Sequence, residues 1–344
     1  MLRYKHGGEA QAGWPIDLDF SVNVNPLGMP KQAIAALRNS LEQMTAYPDR
    51  DCTALRSALR QKLGVGVDQL LCGNGASDLI FRICAAHAGK TALVLAPTFS
   101  EYERSVRLFG GAVREYRLRK ADGFAVTSDI LNVLDDSIDL FFLCNPNNPT
   151  GRLIDAPLLY AILERCKERQ ILLIVDECFL EFTKGVSLIP AISEYDNLLI
   201  LRAFTKYYGM AGLRLGYLVG NPALLCRVAP FGPEWNVSSA AQIAGVAALS
   251  EPDWDARTRA LIEAERGYLC RALTELGLCV TDSQSNFLLV ETPHPLYRML
   301  LQQQIHVRSC ESFSGLDEHF IRICIRTHEE NFTLIHAIQE VLHG

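Results

Sequence analysis

The sequence predicts an α/β protein in which a mostly parallel, doubly wound sheet forms a large domain and a smaller α/β domain completes the fold. Short apolar runs alternate with stretches of helical spacing from residue 70 onward, which favours parallel strands joined by right-handed crossovers. The 344 residues are enough for one large and one smaller domain. We place the large domain at residues 45–250, and an N-terminal arm and small domain at residues 1–44 and 251–344.

Composition excludes several classes of function. A formal net charge of -6 gives the chain no basic footprint for nucleic acid or for an anionic membrane. No apolar run approaches the roughly 20 residues of a membrane-spanning helix, and the opening residues lack the regions of a signal peptide. The 11 cysteines are scattered without a Cys-x-x-Cys pair, which indicates reduced thiols rather than disulfides or a metal site. These features predict a cytoplasmic protein without a metal ion.

Two helices are predicted before residue 65. Apolar residues at helical spacing favour a helix over residues 31–44. Asp51 is the predicted N-cap of the next amphipathic helix, which we expect to end at Gly64.

A glycine-rich turn follows the short apolar run at residues 70–72. Its sequence, Gly-Asn-Gly-Ala-Ser at residues 73–77, leads directly into an amphipathic helix. Free N–H groups at a helix N-terminus bind phosphate, helped by the helix dipole. The turn lacks the Lys-Ser/Thr ending of a P-loop, so it predicts a phosphate site of another kind.

Two later apolar runs end in polar residues. Residues 140–143 lead into a loop, Asn-Pro-Asn-Asn-Pro-Thr-Gly, at residues 145–151, and residues 171–175 lead into Asp176. Ligands collect at the carboxyl ends of the strands in a parallel sheet. A carboxylate placed there can pair with a cationic ring nitrogen, so Asp176 is a candidate binding residue.

A loop with one lysine and one arginine follows the strand predicted at residues 197–201. Lys206 stands just past the strand end, and Arg214 is the eighth residue after it. A lysine kept neutral by its surroundings can form a Schiff base, and an arginine can bind phosphate through two hydrogen bonds. Taken alone such a pair is usually solvated, so its meaning depends on the other motifs.

Three motifs in this order give the chain a family resemblance. Asn-Pro-x-Asn-Pro-Thr-Gly, then Asp176, then Thr-Lys206-x7-Arg214 resemble the fold-type I pyridoxal phosphate (PLP) enzymes of the class I/II aminotransferase superfamily. The resemblance spans nearly the whole chain. It implies that residues 45–250 form a large PLP-binding domain.

The resemblance also implies a set of cofactor-binding residues. Lys206 is the catalytic residue that binds PLP, and Asp176 pairs with the pyridine nitrogen. Asn148 hydrogen-bonds to the phenolic oxygen, and Phe99 stacks on the ring, with Tyr102 as the reserve candidate. The residues implied at the cofactor phosphate are Gly75, Ala76, Ser77, Thr205 and Arg214.

One position departs from the family pattern, and another extends the site to a second subunit. Relatives usually carry Ser or Thr three residues before the lysine, where this chain has Ala203, so Thr205 is the expected substitute. In the superfamily a tyrosine before Pro-Asp reaches the cofactor phosphate of the neighbouring subunit. By resemblance Tyr47 takes this part, which implies a homodimer with shared active sites.

The substrate side resembles one branch of the superfamily, the L-threonine O-3-phosphate decarboxylases of the cobalamin pathway. The His-Gly-Gly at residues 6–8 and the polar run at residues 19–28 resemble their opening, and Phe179 stands where most aminotransferases have tyrosine. Relatives bind the substrate α-carboxylate with the arginine that matches Arg322. Arg308, on the neighbouring predicted strand, suggests a second anionic group on the substrate. The implied substrate-binding residues are His6, Gly7, Asn23, Asn148, Arg308 and Arg322.

The resulting hypothesis is a PLP-dependent carboxy-lyase that converts L-threonine O-3-phosphate into (R)-1-amino-2-propanol O-2-phosphate. Lys206 would return a proton to the α-carbon after CO2 leaves. Three alternatives stay open at this point. L-serine O-phosphate differs from the substrate by one methyl group, which gives modest discrimination. Transamination of histidinol phosphate would use a similar site, and a ligand-binding protein without catalysis is disfavoured by the intact Lys206, Asp176 and Arg214.

Overall fold

The computed structural model of the chain describes residues 7–8 and 15–343. Its strands, in chain order, are β1 (Leu18–Asp19), β2 (Leu70–Gly73), β3 (Thr91–Ala96), β4 (Ala112–Arg117), β5 (Leu140–Cys144), β6 (Leu172–Asp176), β7 (Leu198–Ala203), β8 (Gly216–Gly220), β9 (Cys279–Val280), β10 (Phe287–Glu291), β11 (Ile305–His306), β12 (Arg308–Ser309) and β13 (Phe320–Cys324). Its α-helices are α1 (Lys31–Asn39), α2 (Thr53–Leu63), α3 (Ala76–Ala86), α4 (Glu101–Leu108), α5 (Ile130–Val133), α6 (Ala156–Glu168), α7 (Phe204–Tyr207), α8 (Pro222–Val228), α9 (Ser239–Leu249), α10 (Trp254–Glu275), α11 (Leu296–Gln302) and α12 (His328–His343).

A seven-stranded sheet in the order β2-β8-β7-β6-β5-β3-β4 forms the centre of the fold. Its neighbouring strands are parallel, except that β8 runs antiparallel to both β2 and β7. Every residue of β5, β6 and β7 is buried, and nearly all are apolar. Continuous apolar runs of this kind are typical of parallel strands covered on both faces. Asp176, the last residue of β6, therefore emerges directly from the core at the ligand-binding edge of the sheet.

The antiparallel strand β8 determines where the lysine loop lies. Ala203 at the end of β7 pairs with Gly216 at the start of β8. The chain between them forms α7 and a short loop, and it returns to the same edge of the sheet. Lys206 and Arg214 are thereby held beside the end of β6.

A four-stranded antiparallel sheet in the order β12-β13-β10-β9 forms the second layer of the site. In the pairing of β12 with β13, Arg308 lies directly opposite Arg322. The N-terminal segment joins this side of the molecule, because β1 pairs with β11 and the backbone N–H of Cys324 donates to Phe20 O over 2.9 Å.

Helix α10 links the lysine loop to the end of the chain. Near its start, Asp255 accepts a hydrogen bond of 2.6 Å from the hydroxyl of Tyr207, the residue after the lysine. Three turns later, the buried Glu265 accepts one of 2.9 Å from Asn331 in α12.

The structure has a strand at each apolar run that defines the predicted sheet, and it differs from the predictions in three places. The helix predicted over residues 31–44 ends at Asn39, and a 3-10 turn covers Leu41–Thr45. The predicted strand that carries Arg308 is short, because the chain divides there into β11 and β12, which belong to different sheets. Helices α4, α7, α8 and α9 have no counterpart among the predictions. The domain boundaries at residues 45 and 250 stay a prediction, although the large-sheet strands lie within 70–220 and the small-sheet strands within 279–324.

The predicted N-cap of α2 is wrong. Cys52 occupies the N-cap position in a left-handed conformation. Asp51 contacts the helix through its backbone carbonyl, which accepts from the Arg56 side chain over 3.4 Å. Because the chain turns there, the earlier carboxylate of Asp49 reaches the helix start and accepts from the Thr53 backbone N–H over 2.7 Å. This bond and a second from the Asp51 N–H hold the pKa of Asp49 below its usual range. The helix ends at Gly64 with φ 70°, as predicted.

Replacing Asp49 with alanine should lower the free energy of unfolding by about 0.5–1 kcal/mol at neutral pH, the usual effect of removing an exposed helix cap. The folded-state pKa of Asp49 is lowered, so its stabilisation is present above the unfolded pKa and is lost as pH falls through the folded pKa. Urea unfolding of wild type and D49A measures the difference. D51A is the matched control, and an equal loss in D51A would contradict this assignment.

Candidate active site

A cavity of about 380 Å³ lies where the ends of the central strands meet the small sheet and the N-terminal segment. The predicted site residues that line it are Gly7, Asn23, Ala76, Ser77, Phe99, Asn148, Asp176, Thr205, Lys206, Arg214, Arg308 and Arg322. Gly75 lies just behind the lining, against Arg214. Tyr47 lies outside the cavity on the surface, with 81% of its area exposed. His6 falls outside the described residues.

Lys206 sits in the one-turn helix α7 with its amine in the cavity. Its backbone carbonyl accepts from the Asn25 N–H over 3.0 Å, which fixes the lysine turn to the N-terminal segment. Burial, and then the positive charge of Arg322, lower the pKa of Lys206 to about 8. A substantial fraction of the amine is therefore neutral near physiological pH, as a nucleophilic lysine requires.

Asp176 is a buried carboxylate with two hydrogen-bond donors. The Tyr102 hydroxyl donates to Oδ2 over 2.6 Å, and the Cys178 backbone N–H donates to Oδ1 over 2.9 Å. Burial raises the pKa of Asp176, and these two hydrogen bonds oppose the rise. A cationic group in the cavity would stabilise the ionised carboxylate further.

The structure separates the two candidates for stacking on a cofactor ring. Tyr102 is fully buried, its ring stacks on Phe142 with centroids 5.2 Å apart, and its hydroxyl is engaged by Asp176. Phe99 lies across the Tyr102 ring at 5.6 Å and is partly exposed to the cavity. This placement favours Phe99 as the ring that a ligand would contact and makes Tyr102 a support for Asp176.

A second group of residues forms an anion site at the start of α3. Gly75 is the N-cap with φ 84°, and Ala76 and Ser77 open the first turn. The Arg214 guanidinium approaches so closely that a Cβ on Gly75 would lie 2.6 Å from its NH2. Glycine is favoured here by the positive φ, and any larger residue would also displace the Arg214 guanidinium. A helix N-terminus and an arginine that converge in this way favour a phosphate group.

The side chain of Ala203, three residues before the lysine, cannot donate a hydrogen bond to such a phosphate. Ala203 is buried at the end of β7, where its side chain carries no donor. Thr205, the residue before Lys206, lines the cavity and carries a hydroxyl group. Its use as the substitute donor stays a prediction.

Arg308 and Arg322 place two positive charges side by side on β12 and β13. Arg322 donates through NH2 to Ser21 O over 2.6 Å and through NH1 to Asn148 Oδ1. Its Nε is buried and has no hydrogen-bond partner among the described residues. Burial is the main cause that lowers the pKa of Arg322 to about 10, and the charge of Arg308 adds to it. Like charges directly opposite each other are destabilising, so the pair favours a ligand with anionic groups.

The N-terminal segment closes this end of the cavity. A Cβ on Gly7 would lie 2.1 Å from Ser21 O, so the predicted glycine allows the chain to pack directly on the backbone carbonyl that binds Arg322. Gly8 N donates to Ser21 Oγ over 2.8 Å. Asn23 Oδ1 is buried without a hydrogen-bond partner among the described residues. This oxygen can only accept, so a contact from Asn23 to an anionic ligand would use its NH2 group.

The donor set fits the predicted cofactor. PLP carries a phosphate, a protonated ring nitrogen, a phenolic oxygen and an aldehyde, and the cavity offers complementary groups for each. They are the α3 N-terminus with Arg214, the buried Asp176, Asn148 and the Lys206 amine. Because Asn148 Oδ1 is held by Arg322, its NH2 group is the part available to an oxygen of the ligand.

Sequence comparison adds a family to this geometry. Residues 15–338 match the family described as aminotransferase class I and II. The chain belongs to the aminotransferase class I and II family. The predicted fold-type I architecture is thereby confirmed, with its mostly parallel central sheet.

Individual relatives of this family member are similar over nearly its full length. The threonine-phosphate decarboxylase of Salmonella typhimurium is 38% identical over 95% of this chain and 92% of that protein. The adenosylcobalamin biosynthesis bifunctional protein CobDQ of Leptospira interrogans is 31% identical over 95% of this chain and 39% of that protein. The crystal structure of the histidinol-phosphate aminotransferase from Clostridium acetobutylicum superposes with a TM-score of 0.88 at 28% identity, over 94% of this chain and 99% of that one.

Several residues that line the cavity were not among the predicted site residues. Ser21 contributes a backbone carbonyl, which no side-chain pattern reveals. Glu101 is buried at the start of α4 and forms an ion pair with Arg104 at 2.8 Å. Its position two residues after Phe99 could have identified it as a lining residue. The others are Val22, Ser100, Tyr102, Arg104, Cys144, Cys178, Phe179, Ala211 and Phe313, of which Tyr102 and Phe179 carry sequence hypotheses of other kinds.

The amine of Lys206 should become reactive as pH rises through about 8, since the protonated form dominates below its pKa and the neutral nucleophile above it. Reductive methylation of the cofactor-free protein, followed by peptide mass spectrometry across a pH series, measures this midpoint. An exposed lysine titrates near pH ~10.4.

Arg322→Gln supplies the matched test of the cause. Loss of this positive charge should move the Lys206 midpoint to higher pH, whereas Arg326→Gln should leave it in place. A wild-type midpoint equal to that of exposed lysines would contradict the assignment.

Proposed function

We propose that this chain is a PLP-dependent decarboxylase that converts L-threonine O-3-phosphate into (R)-1-amino-2-propanol O-2-phosphate. The observation that carries the proposal is the pair Arg308 and Arg322, which stand directly opposite each other in the cavity that holds Lys206. An amino acid with a carboxylate and a phosphate matches one amine-reactive group and two guanidinium groups. The similarity to the Salmonella typhimurium threonine-phosphate decarboxylase supports the same substrate.

The residues of the large sheet would hold the cofactor. Arg214 and the first N–H groups of α3 would bind its phosphate, and Asp176 would pair with its ring nitrogen. Phe99 would contact the ring, and Asn148 would donate to the phenolic oxygen. Bound PLP supplies a conjugated ring that accepts the electron pair released when a bond to the substrate α-carbon breaks. An ionised Asp176, oriented by Tyr102, keeps the ring nitrogen protonated for that purpose.

The residues of the small sheet and the N-terminal segment would decide which bond breaks. Arg322 binds the α-carboxylate and Arg308 the side-chain phosphate, with Asn23, Gly7 and His6 as the remaining phosphate contacts. Bound in this way, the substrate would be oriented so that the bond between its α-carbon and its carboxylate is the one that breaks. CO2 would leave without the bonding electron pair, and the Lys206 side chain would return a proton to the α-carbon that keeps this pair.

The metabolic setting follows from the product. A phosphorylated amino alcohol of this kind would enter the nucleotide loop of cobalamin, and the resemblance to the bifunctional cobalamin protein of Leptospira interrogans supports that place. We expect the protein to act in the cytoplasm, in keeping with its 11 free cysteines. Within the described part of the chain, no helix combines the length and apolar character needed to span a membrane.

A homodimer with shared active sites is part of the proposal. Residues 34–47 carry four large exposed apolar side chains, and the last of them, Tyr47, packs on the exposed Trp235 ring at 4.8 Å. We name Ile34, Leu41, Met44, Tyr47 and Trp235 the apolar surface. Exposed apolar groups of this kind favour a protein partner. A second copy that covers it would bring Tyr47 towards the phosphate site of its neighbour.

The decisive assay mixes the PLP-loaded protein with L-threonine O-3-phosphate in the absence of any 2-oxo acid. We expect CO2 release over many turnovers together with the phosphorylated amino alcohol. Arg308→Gln should raise KM strongly, because the phosphate loses a bidentate partner, while Arg326→Gln serves as the control.

Histidinol phosphate with 2-oxoglutarate tests the main alternative in the same preparation. Transamination without CO2 release from L-threonine O-3-phosphate would overturn the proposed decarboxylation. The structural likeness to a histidinol-phosphate aminotransferase makes this comparison necessary.

Leu41→Asp should weaken the dimer, since it places a charge in the proposed apolar interface. Sedimentation equilibrium of wild type and L41D measures the association constant, with Leu108→Asp as a control at a similarly exposed position on α4. A monomeric wild type at enzyme concentrations that give full activity would argue against shared sites.

A further inference from the structure

The cavity has two ends with different chemistry. At its cofactor end, most apolar lining residues lie close in sequence to the predicted cofactor-binding residues, among them Ala76, Phe99, Cys178, Phe179 and Ala211. Its anion end is formed by Arg308 and Arg322. Two further apolar side chains line the cavity in the described residues, Val22 and Phe313, and both belong to segments that hold these arginines.

Phe313 lies beneath the proposed phosphate-binding arginine. The Arg308 guanidinium carbon is 5.4 Å from the centroid of its ring, and the preceding residue, Ser312, accepts from Arg308 over 2.9 Å. Two turn hydrogen bonds fix the residue, since Phe313 N donates to Cys310 O over 2.9 Å and Leu316 N donates to Phe313 O over 3.1 Å. The ring is therefore a fixed apolar surface beside the phosphate position.

Val22 lies beside the proposed carboxylate-binding arginine. The residue before it, Ser21, supplies the carbonyl that holds Arg322 over 2.6 Å, and the residue after it, Asn23, presents its unpaired amide oxygen. Val22 is half-buried and lines the cavity. A Cβ on Gly8 would lie 3.0 Å from a Val22 methyl carbon, so the N-terminal segment packs closely behind the side chain.

The proposed substrate has one apolar substituent to place in this end. Its β-carbon carries the phosphate ester oxygen and a methyl group, and it is bonded to the α-carbon that carries the carboxylate. When the phosphate is at Arg308, the carboxylate at Arg322 and the amine at Lys206, the methyl group is kept close to the two arginines. The apolar lining residues on the segments that contact these arginines are Val22 and Phe313.

We propose that Val22 and Phe313 form a methyl-binding surface that makes the enzyme select L-threonine O-3-phosphate over L-serine O-phosphate. This inference rests on the proposed function, because it places the substrate by its carboxylate and phosphate. One methyl group in a hydrophobic pocket changes specificity by about 10- to 200-fold. The selection is local to these two residues and independent of the groups that bind the cofactor.

The test compares kcat/KM for the two amino acid phosphates in wild type, Val22→Ala, Phe313→Ala and Phe313→Tyr. We expect wild type to prefer the threonine compound by at least about 10-fold. V22A and F313A should each reduce that ratio several-fold through the threonine compound, whereas F313Y, which keeps the ring, should retain it. Val186→Ala, a valine outside the cavity, is the matched control. The ratio isolates the methyl group, because any loss of arginine positioning affects both substrates equally.

Equilibrium binding separates failure of this inference from failure of the proposed function. The PLP-loaded Lys206→Ala variant lacks the catalytic amine, and calorimetry gives its affinity for each compound. Tighter binding of the threonine compound that V22A abolishes, without CO2 release by the parent enzyme, would support the methyl-binding surface and refute the decarboxylase. Equal affinities, or a wild-type ratio unchanged in V22A and F313A, would refute the methyl-binding surface whatever the reaction.

Discussion

The whole site depends on a carboxylate buried at the end of an apolar strand. Asp176 follows four residues that belong to the core, so its charge is costly unless it is paired. Two donors reduce that cost without removing it, since burial still raises the pKa of the group. The arrangement leaves a place for a cation in the cavity. The neighbouring strands then bring Lys206 and Asn148 to that place, because parallel strands end at one edge.

A buried pair of opposite charges, next to Asp176, holds together the strands that carry these groups. Glu177, the residue after Asp176, accepts two hydrogen bonds from Arg202 of β7, at 2.7 and 3.0 Å. Ser187 and the backbone of Leu188 satisfy the same carboxylate further. Removing one partner of such a pair leaves the other charge buried and unpaired, which costs about 3–5 kcal/mol of stability. The end of β6 and the start of the lysine turn are therefore held in a single arrangement.

Sequence patterns were most informative where local chemistry decides the structure. Apolar runs located the central strands, and Gly75 identified the start of α3 because its turn needs a left-handed residue. Residues brought together by pairing were partly predictable: Arg308 and Arg322 were expected on neighbouring strands, but their direct opposition depends on register. The roles of backbone groups were not predictable, as the carbonyl of Ser21 at Arg322 illustrates. Asp51 was misassigned because the left-handed turn at Cys52 lets an earlier carboxylate reach the helix.

The hydrogen bond between Arg322 and Asn148 has a consequence for the length of substrates. Arg322 belongs to the small sheet and Asn148 to the loop after β5, so this bond ties the anion end of the cavity to the cofactor end. A second tie runs through the N-terminal segment, which bonds to Arg322 at Ser21 and to the lysine turn at Asn25. The separation between amine and anion sites is thus set by the protein and not by the ligand. A substrate one methylene longer than L-threonine O-3-phosphate would therefore place its phosphate too far along the cavity to bind Arg308.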